Sequence, residues 1–170
     1  IFRFYDNHWF IVRDLPLHLC GFSTILSAYA LYTRNQLCFE FAFFWAVGGA
    51  LQVILTPDIS RFYSPYYFYI SQISHGIIIL NVLWMLIVLK MKIGNYAIHR
   101  TVVLTIFLMI IIGLFNFFIS ANYFFLCEKP DTINPFLIGD WPFYIVSLII
   151  FGIVIMWILD LLIKRIQRFI

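Results

Sequence analysis

Charged side chains are scarce in this sequence. Asp, Glu, Lys and Arg make up 11% of its 170 residues, whereas hydrophobic residues make up 64% and aromatic residues 21%. Because soluble domains carry about 25% charged residues, the chain has too few of them to cover a surface that faces water. The scarcity excludes a soluble globular domain and indicates an integral membrane protein.

The sequence also lacks the motifs of several function classes. Its three cysteines, Cys20, Cys38 and Cys127, form no CxxC pair, so neither a disulfide framework nor a zinc site is indicated. There is no glycine-rich phosphate loop and no G-x-S-x-G elbow, and we predict no metal and no cofactor. The net charge of +3 is small and divided among loops, which indicates no nucleic-acid partner.

Five apolar segments approach the length of about 20 residues that a helix needs to cross the hydrocarbon core. They are 16–33, 39–56, 66–89, 101–121 and 141–163. The sequence therefore predicts an all-α, polytopic bundle of transmembrane helices, with residues 1–170 as one transmembrane domain. Asp14 and Asp140 are expected to cap the first and last helices, and Pro57 to end the second.

The basic residues are distributed unevenly between the two sides of the predicted bundle. Seven lie on one side and four on the other, and the poorer side also holds most of the acids. The richer side carries Arg34, Lys90, Lys92, Arg100, Lys164, Arg165 and Arg168. By the positive-inside rule, this predicts a multi-pass protein of the plasma membrane with a cytoplasmic C-terminus. Cys20, Asp58 and the loop 122–140 are then expected toward the outer face.

Polar side chains inside the predicted spans are concentrated at one depth, in the outer half. They include His18, Cys20, Gln52, Thr56, Ser71, Gln72, Ser74, His75, Asn116, Ser120 and Asn122. Because polar groups in a bilayer usually face the bundle interior and often mark a site, this pattern predicts one cavity that opens toward the outer leaflet. The amides of Gln52, Asn116 and Asn122 are candidates to bind a substrate or to stabilise an oxyanion.

Cys20 and His75 are the candidates for chemistry within this group. A helix N-terminus favours a thiolate at Cys20, and an imidazole such as His75 can accept its proton. Ser71 and Gln72 lie on the same helix face as His75 and could orient its ring. Other interpretations remain open. Cys20 could be a small packed side chain or a disulfide partner of Cys127, and His75 could make a structural hydrogen bond across helices to Asn116 or Gln52.

Depth presents a difficulty for this pair. His75 lies about ten residues, or roughly 15 Å, into its predicted span, whereas Cys20 follows Pro16 by only four residues. The two match in depth only if the loop before residue 66 rises higher, or if residues 15–20 enter the membrane as a re-entrant stretch.

Several motifs occur in a familiar order: "LPLHLC", "FFWAVGGALQVILTPD", "SHG", "ANYFFLCEKP" and "WPFY". In this order they resemble the YwaF-like family of bacterial integral membrane proteins. That family is related to the transmembrane protein 164 acyltransferases, which move fatty acyl chains onto lysophospholipids. The resemblance spans residues 15 to about 160. It implies one or two further helices before "LPLHLC", and the start at Ile1 also suggests a missing N-terminus.

The resemblance further implies a fold similar to membrane hydrolases of the androgen-induced-gene type, which pair a nucleophile with a His across helices. It assigns attack to Cys20 and proton transfer to His75. The leading hypothesis is therefore an acyltransferase or lipid hydrolase acting on the acyl esters of membrane phospholipids. The competing hypothesis is a non-enzymatic membrane component, either a small-molecule transporter or the membrane subunit of a larger complex. The sequence identifies no protein partner.

Overall fold

A computed structural model describes residues 9–57, 64–130 and 137–167 of the chain. Within these ranges the regular structure is helical and no strand occurs, which confirms the all-α class. The helices are α1 (Leu19–Thr33), α2 (Gln36–Leu55), α3 (Pro65–Ile87), α4 (Ala97–Ile119) and α5 (Phe143–Ile166). A π-helical segment, Ala46–Ala50, interrupts α2, and a short 3-10 turn, Tyr123–Phe125, follows α4.

Four of these helices, α2 to α5, are long and apolar enough to cross a membrane. The first predicted span is shorter than the others, because α1 has only 15 residues. At a rise of 1.5 Å per residue it is about 22 Å long, less than the roughly 30 Å of a hydrocarbon core. The chain is thus a multi-pass membrane protein in which α1 is an apolar helix of less than full span.

The predicted start of α1 is wrong. The helix begins at Leu19 rather than at Pro16, because the chain before it folds back across its first turn. A Cβ atom added at Gly21 would lie 2.5 Å from the carbonyl oxygen of Pro16, so this close approach requires glycine. The carboxylate of Asp14 does not cap the helix and instead accepts a hydrogen bond from the backbone N–H of Phe10 at 2.9 Å.

Two other predicted boundaries have different outcomes. The end of α2 before Pro57 is confirmed, since the helix stops at Leu55 and Thr56 has non-helical dihedral angles. The cap at Asp140 is wrong: α5 begins at Phe143 without a side-chain cap, and the exposed Asp140 carboxylate pairs with Lys129 at 3.2 Å. Because the Asp140 carboxylate already pairs with Lys129 at the exposed surface, it would gain little further stability by capping the helix.

Helix α2 is the centre of the bundle. After its exposed first residues, Gln36 and Leu37, most of the helix up to the π segment is buried, including the aromatic residues Phe39, Phe43, Phe44 and Trp45. Helices α1, α3 and α4 all pack against it. Beyond the π segment the burial decreases, and no residue of Leu51–Leu55 is buried. The bundle is therefore closed in one half and more open in the half where Cys20 and His75 lie.

A buried ion pair stabilises the closed end of the bundle. Glu40 of α2 is fully buried, and its carboxylate accepts hydrogen bonds from Arg100 and, at 2.9 Å, from the backbone N–H of Gly94. A Cβ atom at Gly94 would lie 2.9 Å from the Glu40 Oε1 atom, so a larger residue would displace this carboxylate. This carboxylate fixes the connection between α3 and α4 on the central helix.

Candidate functional site

The register of the helices places Cys20 and His75 at the same level. The side chain of Leu19 lies 3.7 Å from the position of a Cβ atom on Gly49 in α2. The amide of Gln72 reaches the carbonyl oxygen of Val53, also in α2, at 3.5 Å. Because α1 and α3 both run antiparallel to α2, we infer from these two distances that Cys20 and His75 lie within about one helical turn of each other in depth.

This register resolves the difficulty of depth. Gly49 lies six residues before the end of α2 at Leu55, which corresponds to roughly 9 Å along the helix axis. Helix α1 therefore begins well below the end of α2, and Cys20 is deeper than its distance from Pro16 suggests. Helices α1 and α3 also pack directly against each other.

His75 has a defined tautomer. Its Nδ1 atom lies 2.7 Å from the carbonyl oxygen of Ser71, one turn earlier in α3. Because a carbonyl oxygen only accepts, we assign a ring proton to Nδ1, and in the neutral ring this leaves a lone pair on Nε2. The Nε2 atom is buried and has no hydrogen-bond partner among the described residues. An imidazole held in this state can accept a proton at Nε2, as a general base must.

Ser71 and Gln72, the two residues expected to orient the His75 ring, differ in what they contact. Ser71 does orient His75, chiefly through its backbone carbonyl, with its hydroxyl 3.4 Å from the same Nδ1 atom. Gln72 does not contact the ring in any described hydrogen bond and instead connects α3 to Val53 of α2. The tautomer of His75 is therefore fixed within α3.

Cys20 is the second residue of α1 and is half-buried against the main hydrophobic core. It thus lies in the first helical turn, where the helix dipole favours a thiolate. All three cysteines lie in the described ranges, and none is in a disulfide, so the pairing of Cys20 with Cys127 does not occur.

A short turn after α4 binds the segment of chain that precedes Cys20 in the sequence. We call residues 120–126 the docking turn. Tyr123 is fully buried, and its hydroxyl donates to the Ile11 carbonyl at 2.6 Å and accepts from the Leu15 N–H at 3.0 Å. The N–H of Phe124 donates to Nδ1 of His18, the residue that precedes α1, at 3.3 Å. Burial raises the pKa of Tyr123, which keeps its hydroxyl protonated.

The amides of Asn116 and Asn122 hydrogen-bond to the backbone in and just after the docking turn. Asn116 is buried, accepts from the backbone N–H of Tyr123 at 3.0 Å and donates to its carbonyl at 2.8 Å. Asn122 accepts from the N–H groups of Cys127 and Glu128 and donates to the Glu128 carbonyl. These bonds give both amides a structural role in shaping the loop.

The third predicted amide, that of Gln52, lies elsewhere. Gln52 is half-buried on the last segment of α2, where this segment packs against α3. Asn116 instead bonds to the backbone of Tyr123, which belongs to a hydrophobic cluster with Ile112 and Ala121. The predicted amides are therefore divided: Gln52 lies where α2 packs against α3, whereas Asn116 and Asn122 bind the loop after α4. Asp58, which was expected near the same face, lies outside the described residues.

Sequence reasoning did not single out Tyr123 or Ser23. Ser23 is fully buried one turn after Cys20, and its Oγ atom has no hydrogen-bond partner among the described residues. A serine in an apolar helix is inconspicuous, and the partner of a loop tyrosine depends on the tertiary fold. In residues 9–57, 64–130 and 137–167, no group of three His, Cys, Asp or Glu side chains could hold a metal ion.

Comparison with known proteins gives a family match over most of the chain. The TMEM164 family matches residues 1–160. An uncharacterized protein of Treponema pallidum (strain Nichols) is 27% identical over 130 residues, which cover 74% of this chain and 54% of that protein. The chain thus spans about half the length of this curated relative. No solved structure matches the chain.

Proposed function

Because the chain belongs to the TMEM164 family, we propose that it transfers or hydrolyses the acyl esters of membrane phospholipids, with Cys20 as nucleophile and His75 as base. The observation that carries this proposal is the buried, unpartnered Nε2 atom of His75 at the level of Cys20. A buried Nε2 atom without a hydrogen-bond partner costs free energy inside the membrane, unless a proton donor binds there.

The proposed reaction has two halves. In the first, His75 Nε2 accepts the thiol proton of Cys20, and the thiolate attacks the ester carbonyl carbon. The C–O bond then breaks, the leaving lysophospholipid hydroxyl takes the proton from His75, and a thioester remains on Cys20. In the second half, His75 deprotonates an acceptor hydroxyl or water, which attacks the thioester and releases the thiol.

The distribution of polar groups favours an enzyme over a transporter. A transport path needs polar groups through both halves of the bundle. Here a fully buried layer of α2, made by Ala42, Phe43, Phe44 and Trp45, lies between the level of Cys20 and the buried Glu40. This apolar layer supports a pocket that opens on one side of the membrane.

We further propose a plasma-membrane location, and from the distribution of basic residues a cytoplasmic C-terminus. In this orientation Cys20 and His75 act on lipids of the outer leaflet. Stable protein partners are not part of the proposal.

The test is acyl transfer or release from labelled phospholipids in liposomes that contain the purified chain. We expect Cys20→Ser to keep the fold and to lose nearly all activity, because an alcohol is far less acidic than a thiol. His75→Ala should lose activity to a similar degree, since the two groups act as a unit and their effects are not additive.

The matched controls are Cys38→Ser and Cys127→Ser, which remove thiols at other places in the fold and should leave activity largely intact. Equal activity of wild type and Cys20→Ser would show that Cys20 only packs against the core.

A further inference from the structure

Ser23 carries the one buried hydroxyl of α1 that has no partner among the described residues. Three other hydroxyls of the helix, those of Thr24, Ser27 and Thr33, each donate to a carbonyl oxygen of α1. Ser23 makes no such bond, although it is 0% exposed. A buried polar atom without a partner loses the hydrogen bonds it would make in water, so its retention calls for an explanation.

The surroundings of Ser23 follow from the register of α1 on α2. Leu19 lies four residues before Ser23 on the same helix face, and its Cβ atom would be 3.7 Å from a Cβ atom added at Gly49. Ser23 therefore lies one turn further along α1, opposite the beginning of the π segment Ala46–Ala50. The ring contact between Phe22 and Trp45, at 6.1 Å between centroids, agrees with this register.

The π segment consists of small residues and has open space beside one of them. Its sequence is AVGGA, and a Cβ atom added at Gly48 would meet no atom within 4 Å. Segments of π-helix within α-helices frequently occur at functional sites. A small-residue segment does not define a site by itself, but here it lies beside a buried hydroxyl that lacks an acceptor.

We propose that the Ser23 hydroxyl is a catalytic group that donates a hydrogen bond to the acyl carbonyl oxygen when Cys20 attacks. This inference rests on the proposed function. Residues three apart on a helix have Cβ atoms about 5–6 Å apart, which is the span that a carbonyl bonded to the Cys20 sulfur can bridge. Ser23 supplies the donor, while His75 supplies the acceptor for the thiol proton.

The step conserves atoms and charge. As the bond between the Cys20 sulfur and the carbonyl carbon forms, the carbonyl π electrons move to oxygen, and the Ser23 O–H hydrogen-bonds to the resulting oxyanion. Ser23 keeps its proton throughout. When the oxyanion collapses and the ester C–O bond breaks, the carbonyl re-forms as a thioester. The substrate class is an acyl ester whose carbonyl lies beside Cys20 and Ser23 during the attack.

Close packing of helices is the competing explanation for Ser23. Small residues spaced by four, such as Ser23 and Ser27, let neighbouring helices approach closely. Packing depends on the size of the side chain, whereas an oxyanion donor depends on the hydroxyl. Substitution by alanine separates the two, because it keeps the small size and removes only the hydroxyl.

The experiment measures the single-turnover rate of thioester formation on Cys20 in the full chain. The protein is reconstituted in phosphatidylcholine vesicles that contain a labelled acyl chain, and its Tm is measured in parallel. For Ser23→Ala we expect a loss of ~10²–10³-fold in this rate, with KM and Tm retained. Ser27→Ala, one turn further along α1, should match wild type, and Ser23→Thr should recover much of the rate.

Each other outcome overturns the inference. A wild-type thioester with Ser23→Ala reacting at the same rate removes the role of Ser23 and leaves the proposed function intact. Equal losses of rate and Tm in Ser23→Ala and Ser27→Ala assign both residues to packing. The absence of any thioester on wild type overturns the proposed function and the role of Ser23 with it.

Discussion

Tyr123 connects distant parts of the chain through one hydroxyl. Its O–H binds the backbone at Ile11 and Leu15, more than 100 residues away, while its own backbone is bound by Asn116. Two neighbouring residues of the turn, Phe124 and Phe125, have positive φ angles of 59° and 54°. Bulky residues rarely adopt this conformation, so the surrounding hydrogen bonds must hold it in place.

The Tyr123 hydroxyl should make stability depend on alkaline pH. Burial raises its pKa above the ordinary value of about 10, so the unfolded chain loses this proton first as pH rises. The stability that the neutral hydroxyl contributes is present below about pH 10 and is lost as pH rises through the raised pKa. We expect Tyr123→Phe to cost about 1–3 kcal/mol near neutral pH.

The measurement is Tm as a function of pH for wild type and Tyr123→Phe in the same detergent. The difference between the two proteins should shrink above about pH 10. A difference that stays constant or grows across this range would contradict the role assigned to the hydroxyl.

Single residues show what sequence reasoning can and cannot supply. The polarity of Asn116 and Asn122 is visible in the sequence, but their partners are backbone groups of a loop, which no periodicity predicts. His75 was identified because a polar residue deep in an apolar span is conspicuous. Its tautomer depends on a hydrogen bond to the Ser71 carbonyl. A helix places a carbonyl four residues before each side chain, and the ring reaches it once it turns toward it.

At the level of helices, long apolar runs predicted α2 to α5 well, because a membrane requires length and hydrophobicity from each spanning segment. The start of α1 was missed, since it depends on the contact of Pro16 with Gly21. The π segment of α2 was also missed, because one extra residue in a helical turn leaves no clear signal in an apolar sequence. The start of α1 and the π segment of α2 together determine how deep Cys20 lies along the bundle.

Glu40 of α2 and Arg100 of α4 form an ion pair, and substituting one should cost more stability than substituting the other. Arg100→Met leaves the buried carboxylate of Glu40 without its cation and should cost about 3–5 kcal/mol. Glu40→Gln removes the buried charge and keeps an oxygen that can accept from the N–H of Gly94. It leaves Arg100, which is 39% exposed, able to reach water.

We therefore expect a clearly lower Tm for Arg100→Met than for Glu40→Gln. Their thermal unfolding in detergent provides the comparison. Equal losses would show that Arg100 contributes through packing or surface contacts and that the buried carboxylate needs no cation.

For the whole molecule, the basic residues predict which side of the membrane each end faces. Cys127 is exposed in the loop after α4, on the side expected to be outside. In intact cells that express a variant with Cys20 and Cys38 replaced by alanine, a membrane-impermeant maleimide should label Cys127. Labelling that appears only after permeabilisation would invert the orientation, and a variant that also lacks Cys127 gives the background.

The central claim is that Cys20 becomes covalently acylated, and the most direct measurement is mass spectrometry of the intact protein. The purified chain is incubated in phospholipid vesicles, quenched in acid and digested, and the peptide that contains Cys20 is compared with the same peptide carrying Cys20→Ala. The account predicts an added acyl mass on Cys20 that hydroxylamine removes, as it does a thioester, and that accumulates more slowly in His75→Ala. A wild-type Cys20 peptide without acyl mass, under conditions in which the vesicles lose acyl chains to the protein's activity, would contradict it.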